Sequence, residues 1–379
     1  MLCFSACSDT DTSGKSSKTD EKTTSSKVTL GSETEGGGKT PVHSYAPSSS
    51  LSTGESTTNP PSDTGLKIST ADEFLSFAKQ VANGTSFDGE TVTLEKDINL
   101  SGKSWTPIGT FEKPFKGTFD GKGHTISNMK IELKDITVDS GKDIYLGLFG
   151  FVSDGKILNL NMTRSEIKVE NSKGYGFISA GLIAGLVIGY GGDIAVENCS
   201  AAGRITVSSA TNNHLDLGGL LGDFCENFDR GSATLKGLTS RVDIFAESKD
   251  GAADCGGIVG NVGLRSDKGE LYDLDYKGTI ERGEDTDFYN VGGICGGLFL
   301  EKFREIGNCR LHLTIPQIGE YVYSAYQDIG LAVGQEATNT VHYRLKEITA
   351  SATFEGKTGD YDFVGKTYGN PTLEKCIVS

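Results

Sequence analysis

Positive charge is scarce in this chain: 36 Lys and Arg stand against 51 Asp and Glu, so its 379 residues carry a formal net charge of −15. A surface this acidic repels phosphate backbones and anionic headgroups, which excludes nucleic acid and anionic lipid surfaces as natural partners. Long apolar runs are also missing. No stretch approaches the roughly 20 apolar residues that a membrane helix needs, so contact with a membrane has to come from an anchor. His-Glu-x-x-His is absent, which removes the zinc-peptidase helix, and the five histidines at positions 43, 124, 214, 312 and 342 stand isolated. No Cys-x-x-Cys occurs, so the eight cysteines do not suggest a zinc ribbon or finger. With 8 prolines and 51 glycines, the composition suits many short strands joined by tight turns.

What is present is a repeat. Gly147-Leu148-Phe149-Gly150 returns as Gly181-Leu182-Ile183-Ala184-Gly185, Gly219-Leu220-Leu221-Gly222, Gly257-Ile258-Val259-Gly260, Gly293-Ile294-Cys295-Gly296 and Gly330-Leu331-Ala332-Val333-Gly334. The closing glycines are 35, 37, 38, 36 and 38 residues apart, a period in the solenoid range. A second phrase follows each: Ile157-Leu158-Asn159-Leu160, Val196-Glu197-Asn198-Cys199, Leu235-Lys236-Gly237-Leu238, Leu271-Tyr272-Asp273-Leu274, Ile306-Gly307-Asn308-Cys309 and Leu345-Lys346-Glu347-Ile348. Outlying copies occur at Ile126-Ser127-Asn128-Met129 and Leu373-Glu374-Lys375-Cys376. Its first and fourth places are apolar, and its third suits a turn. These runs are too short and too glycine-rich for helices, so the prediction is an all-β parallel β-helix with coils of about 37 residues. A β-propeller also repeats at about 40 residues, but it calls for four clear strands per blade and a recurring Trp-Asp-like motif, and the chain has one tryptophan.

If coils stack, each offset from the glycine phrase must keep one chemical character along the axis. The residue before the first glycine is Leu146, Ala180, Leu217, Cys255, Val291 or Ile329, apolar throughout. One place earlier stand Tyr145, Ser179, Asp216, Asp254, Asn290 and Asp328. Aspartates on adjacent coils repel by about 1 kcal/mol in water and more when buried, so they are either solvated in turns or share a cation. Asx turns are the commoner explanation; a Ca²⁺ ion held by Asp216, Asp254 and Asn290 is the other, and no further cofactor is indicated. Of the body cysteines, Cys199, Cys309 and Cys376 share a tetrad place with Leu, Met and Ile, Cys255 lies in the apolar column, and Cys295 replaces Val259 or Leu221. Cys199 and Cys309 are about 14 Å apart at strand spacing, beyond the roughly 7 Å reach of a disulfide. These thiols read as small buried hydrophobes, and Cys225 has no slot.

A helix precedes the repeats. Thr70 and Glu73 have capping-box spacing, Gly84 offers a stop, and Phe74, Phe77, Ala78, Val81 and Ala82 form one apolar stripe. An open solenoid end needs a plug, and this helix is the predicted amino-terminal cap. Within the following lead-in, Asp120 and His124 read as a turn aspartate and a strand histidine in preference to a catalytic pair.

The lead-in Trp105-x-Pro107-Ile108-Gly109 and Phe115-x-Gly117-x-Phe119-Asp120-Gly121, with the glycine phrases and the tetrads, resembles bacterial GLUG-repeat proteins over residues 66–379. That family includes adhesin-like surface proteins and the amino-terminal regions of IgA1-specific metalloendopeptidases. The resemblance implies a right-handed parallel β-helix displayed outside the cell; it brings no protease chemistry. Phe4-Ser5-Ala6-Cys7 likewise resembles the end of a bacterial lipoprotein signal, with Cys7 as the lipidated residue. Only six residues precede it, short of a basic segment and an apolar run, so residues 1–7 read as a signal remnant. Residues 8–65 are Ser/Thr-rich with almost no aliphatics and read as a disordered stalk, about 40 Å end to end as a random coil. Residues 66–130 would then hold the capping helix and first coils, and 131–379 the repeats.

The expectation is an exported, lipid-anchored bacterial surface protein, monomeric and non-catalytic, whose β-helix side and loops bind an extracellular protein or carbohydrate. Tyr321, Tyr323 and Tyr326 form the densest aromatic run and are the ligand-binding candidates. The alternative is a polysaccharide lyase or glycosidase on the same fold, which needs clustered acids with a basic partner or paired carboxylates. No catalytic residues are assigned.

Overall fold

The computed structural model describes residues 65–139, 141–283, 286, 288–316, 327–336, 342–354, 362–367 and 370–378. Cys7, the 8–65 stalk up to residue 64, and Tyr321, Tyr323 and Tyr326 lie outside the described residues. The rest is a parallel β-solenoid with three faces. One face joins 17 strands, among them the long Asn161–Gly174, Ser200–Ser209, Ala233–Ser248, Leu271–Arg282, Glu305–Ile315 and His342–Phe354. A second stacks six short strands, including Phe177–Ala180, His214–Gly218, Ala252–Gly256 and Phe288–Gly292. A third stacks seven, including Ala184–Gly189, Leu221–Glu226, Val259–Leu264 and Cys295–Leu300. Each coil runs through the second face, turns on a glycine phrase into the third, and returns along the first.

Register confirms the columns. Leu217 pairs in parallel with Ala180 and Cys255, Asp216 with Ser179 and Asp254, and the series continues through Val291 and Asn290. Across the third face Ala184, Leu221, Val259, Cys295 and Val333 lie in one row. Spacing read from the chain is therefore the repeat of the hydrogen-bonded ladder.

The tetrad's third place has a backbone reason. Asn128, Asn159, Asn198, Gly237, Asp273, Asn308, Glu347 and Lys375 all adopt φ between 51° and 65°. In an unbroken strand, residues three apart face opposite ways. One left-handed residue between them turns the chain so that both ends of the phrase point inward: Ile157 and Leu160, or Leu235 and Leu238, are 0–1% exposed. Asn tolerates this conformation best of the side-chain-bearing residues. Its amide also links coils, with Asn198 Nδ2 donating to Asn159 Oδ1 at 3.2 Å and Asn159 Nδ2 to Asp120 Oδ1 at 2.9 Å.

The phrase's last glycine answers to a different constraint. A Cβ on Gly222 would lie 2.6 Å from the Ala180 nitrogen, on Gly260 2.5 Å from the Leu217 nitrogen, and on Gly296 2.3 Å from the Cys255 nitrogen. The closing glycines from Gly185 to Gly334 thus rest on the second-face backbone of a neighbouring coil, one contact repeated up the axis. Only a residue without a side chain lets the second and third faces approach so closely.

The helix Ala71–Ala82 starts on Thr70 with both capping-box bonds formed: Glu73 N–H donates to Thr70 Oγ1 at 3.2 Å, and Thr70 N–H to Glu73 Oε2 at 3.0 Å. Asn83 caps its end, and Gly84 beyond it turns the chain away with a φ of 106°. Phe74, Phe77 and Val81 are fully buried. Phe74 stacks on Trp105 at 5.2 Å, and Phe77 meets Phe115 and Phe119 at 5.7 and 5.9 Å, so the stripe closes the first coils as a plug. His124 bonds Asp97 at 3.2 Å and not Asp120, which caps its own turn at Lys122 N–H; no catalytic pair forms there.

Cys199, Cys255, Cys295 and Cys309 are buried, as filler side chains should be, and Cys376 is partly buried. Cys225 packs with Phe151, Leu186 and Ile188 in a small apolar cluster apart from the main core. Burial pushes the Cys199 and Cys309 thiols up to about 12. Both should resist iodoacetamide at pH 8 in the native protein and alkylate fully in guanidinium, as peptide mass mapping would show; native labelling would contradict their burial.

Candidate functional site

Strand alternation splits His214–Gly218 between two environments: Leu215 and Leu217 enter the core, while His214 and Asp216 project from the other side. Beyond the glycine turn, Asp223 on the third face does the same. Because the glycine contacts bring these faces together, their outward side chains are buried against one another. Ser179, Asp216, Asp223, Asp254 and Asn261 are 1–6% exposed.

This corrects the expectation of solvated Asx turns. The aspartates sit mid-strand, away from water, where unpaired charge is costly. Ser179 Oγ donates to Asp223 Oδ2, and Asn261 Nδ2 donates to Asp223 Oδ1 at 3.3 Å. His214 Nε2 lies 3.2 Å from Asp216 Oδ1 and 3.6 Å from Asp254 Oδ2, so His214 is not isolated and the acids do have a basic partner. Asn290 Nδ2 donates to Asp254 Oδ1. Asp216, Asp254 and Asn290 are thus brought together on three adjacent coils; Asp328 continues the backbone register.

Burial raises the Asp216 carboxyl against the opposing pull of His214. Asp223 is driven well above the usual carboxylate range by burial and by the charge of Asp216. Burial alone would lower His214, but Asp216 and Asp254 hold its imidazole well above the ordinary value.

Above this cluster opens a cleft of about 730 Å³, with Ser179, Asp216, Asp223 and Asn261 at its polar side. Phe111, Tyr145, Phe177 and Tyr190 line it with rings, and Leu186 and Ile188 add aliphatic wall. Tyr145 and Phe111 both pack edge-on against Phe151, at 5.3 and 5.7 Å. Burial and nearby Asp143 raise the Tyr145 phenol, which stays protonated as a hydroxyl donor. The lead-in segment around Pro107 and Gly109 forms one wall, where a Cβ on Gly109 would meet the Phe151 carbonyl at 2.3 Å. Sequence reasoning had no signal for the cleft, because its rings come from separate coils. His214 was missed although a signal for it existed: it stands two residues before a column aspartate, hence on the same strand side.

No protein-family profile matches the chain. A crystal structure of a candidate immunoglobulin A1 protease from Bacteroides ovatus superimposes with a TM-score of 0.51, covering 83% of this chain and 85% of that one. The likeness is one of fold. At 18% sequence identity it carries no activity across. Halomucin from Haloquadratum walsbyi is 29% identical over an alignment of 160 residues that covers 39% of this chain but only 2% of that protein. This chain therefore spans a small fraction of halomucin's length.

Proposed function

We propose that the chain is an exported, surface-displayed β-helix binding protein of the GLUG-repeat type, anchored through Cys7, that takes an uncharged saccharide of an extracellular glycan in the cleft of Ser179, Asp216 and Asp223. The observation that carries this reading is the pairing of aromatic walls with buried oxygen acceptors. Rings offer flat apolar area to the C–H faces of a sugar, and carboxylate, amide and hydroxyl oxygens accept its hydroxyl hydrogens. The acidic base disfavours sulfated or uronate-rich chains. The Bacteroides ovatus structure supports the β-helix fold, and the adhesin-like role rests on the cleft and on the resemblance carried by the repeats.

A glycan array read alongside reducing-sugar release tests it. Binding of neutral glycans without release is expected, and Phe111→Ala and Tyr190→Ala should each weaken it by roughly 10-fold or more. Absence of binding, or binding indifferent to both substitutions, would refute the cleft. Asp216 and Asp223 in one cleft also favour a second reading, a glycosidase, and release of sugar that Asp223→Asn abolishes would establish it in place of the first.

A further inference from the structure

We propose that the chain binds one metal ion of the Zn²⁺ class through His214 Nε2, Asp216 and Asp254. This does not depend on the glycan reading. His214 and Asp216 project from one side of the strand His214–Gly218, and Asp254 pairs with Asp216 in register on the next coil. The three ligand atoms lie within 4.8 Å of one another. Tetrahedral zinc with bonds of about 2.0–2.2 Å spaces its ligand atoms about 3.3–3.6 Å apart. The two distances from Nε2, 3.2 and 3.6 Å, lie at or within about 0.1 Å of that spacing.

Charge supports the same conclusion. Asp216, Asp223 and Asp254 are at least nine-tenths buried, and one imidazole contacts two of them. A buried carboxylate either takes up a proton or is met by a counter-charge, and one divalent ion would meet both Asp216 and Asp254. An imidazole nitrogen with two carboxylates suits zinc or a neighbouring transition metal, whereas Ca²⁺ takes six to eight oxygens. Asn290 is then a supporting residue and not a ligand: its amide nitrogen donates to Asp254 Oδ1 and leaves Oδ2 facing His214. The Phe177 ring packs beside the imidazole, with centroids 4.8 Å apart. Asp216 borders the cleft, which gives an ion a route to its carboxylate.

The test uses the full chain freed of metal with a chelator and titrated calorimetrically with ZnCl₂, with Co²⁺ absorption as a probe of coordination. One ion per chain and an intense tetrahedral Co²⁺ spectrum are expected. His214→Ala and Asp254→Asn should each weaken binding at least ~100-fold, while His124→Ala at the exposed Asp97 contact should not. Circular dichroism of the metal-free variants checks that they fold; should one not, the wild-type Co²⁺ spectrum and the other variant decide. Failure to bind Zn²⁺ stoichiometrically, an octahedral Co²⁺ spectrum, or binding of either Zn²⁺ or Ca²⁺ that survives His214→Ala would overturn the proposal. Each of these readouts is taken without glycan, so failure here leaves the glycan reading standing and the reverse also holds.

Discussion

Gly260→Ala is expected to abolish cooperative folding, with a loss of more than about 4 kcal/mol, whereas Gly263→Ala three residues later should change stability by under about 1 kcal/mol. The added methyl at position 260 would lie 2.5 Å from the Leu217 nitrogen, 2.6 Å from the Asp216 carbonyl carbon and 2.7 Å from the Gly222 oxygen. All three are backbone atoms held in parallel ladders, so none can rotate aside as a side chain would. At position 263 the nearest atom is Cys225 Cβ at 3.5 Å, an ordinary contact. In a solenoid each coil is stabilised by its neighbours, and pushing two faces apart at one level removes the template for the next. Urea unfolding followed by far-UV circular dichroism would measure both. A cooperative Gly260→Ala transition near that of the parent would contradict the packing described here.

Arg304→Ala should cost about 3–5 kcal/mol, because it leaves Glu226 charged and buried. The two side chains approach to 3.7 Å and each residue is 3% exposed. Together they clamp the loop that begins at Arg265. Glu226 accepts from the Arg265 and Ser266 amides at 3.0 and 2.9 Å and from Ser266 Oγ at 2.7 Å. Arg304 donates to the Ser266 and Gly269 carbonyls at 2.9 and 3.1 Å. Side chains thus satisfy loop groups that no strand pairs. The double substitution Glu226→Gln with Arg304→Met should lose less than the sum of the single changes, since it removes both charges. Strict additivity in the same urea experiment would show that the pair is not coupled.

Neither residue could be singled out beforehand: Glu226 and Arg304 sit outside the repeated phrases, at offsets no column predicts. The phrases themselves were legible because stacking forces like onto like. Leu217 over Cys255 and Asp216 over Asp254 follow from spacing alone, and the tetrad's Asn and Gly choices betray a left-handed bend. The helix was equally readable, its capping box and stripe being local. Periodicity told which residues share a column but not whether that column meets water, so the aspartates were expected in solvated turns.

The chain alone therefore determines a parallel solenoid with an amino-terminal plug, its coil length and the contents of each column, because these depend on short-range conformation and on hydrogen bonds between equivalent residues. Tertiary structure decides what lies across from each column. Only where glycine lets the second and third faces close together do Asp216, Asp223, Asp254 and His214 leave water and become a site. Charge that would be harmless on an open face is costly there, since the low-dielectric surroundings no longer screen it, and it must be met by a proton or by a counter-charge.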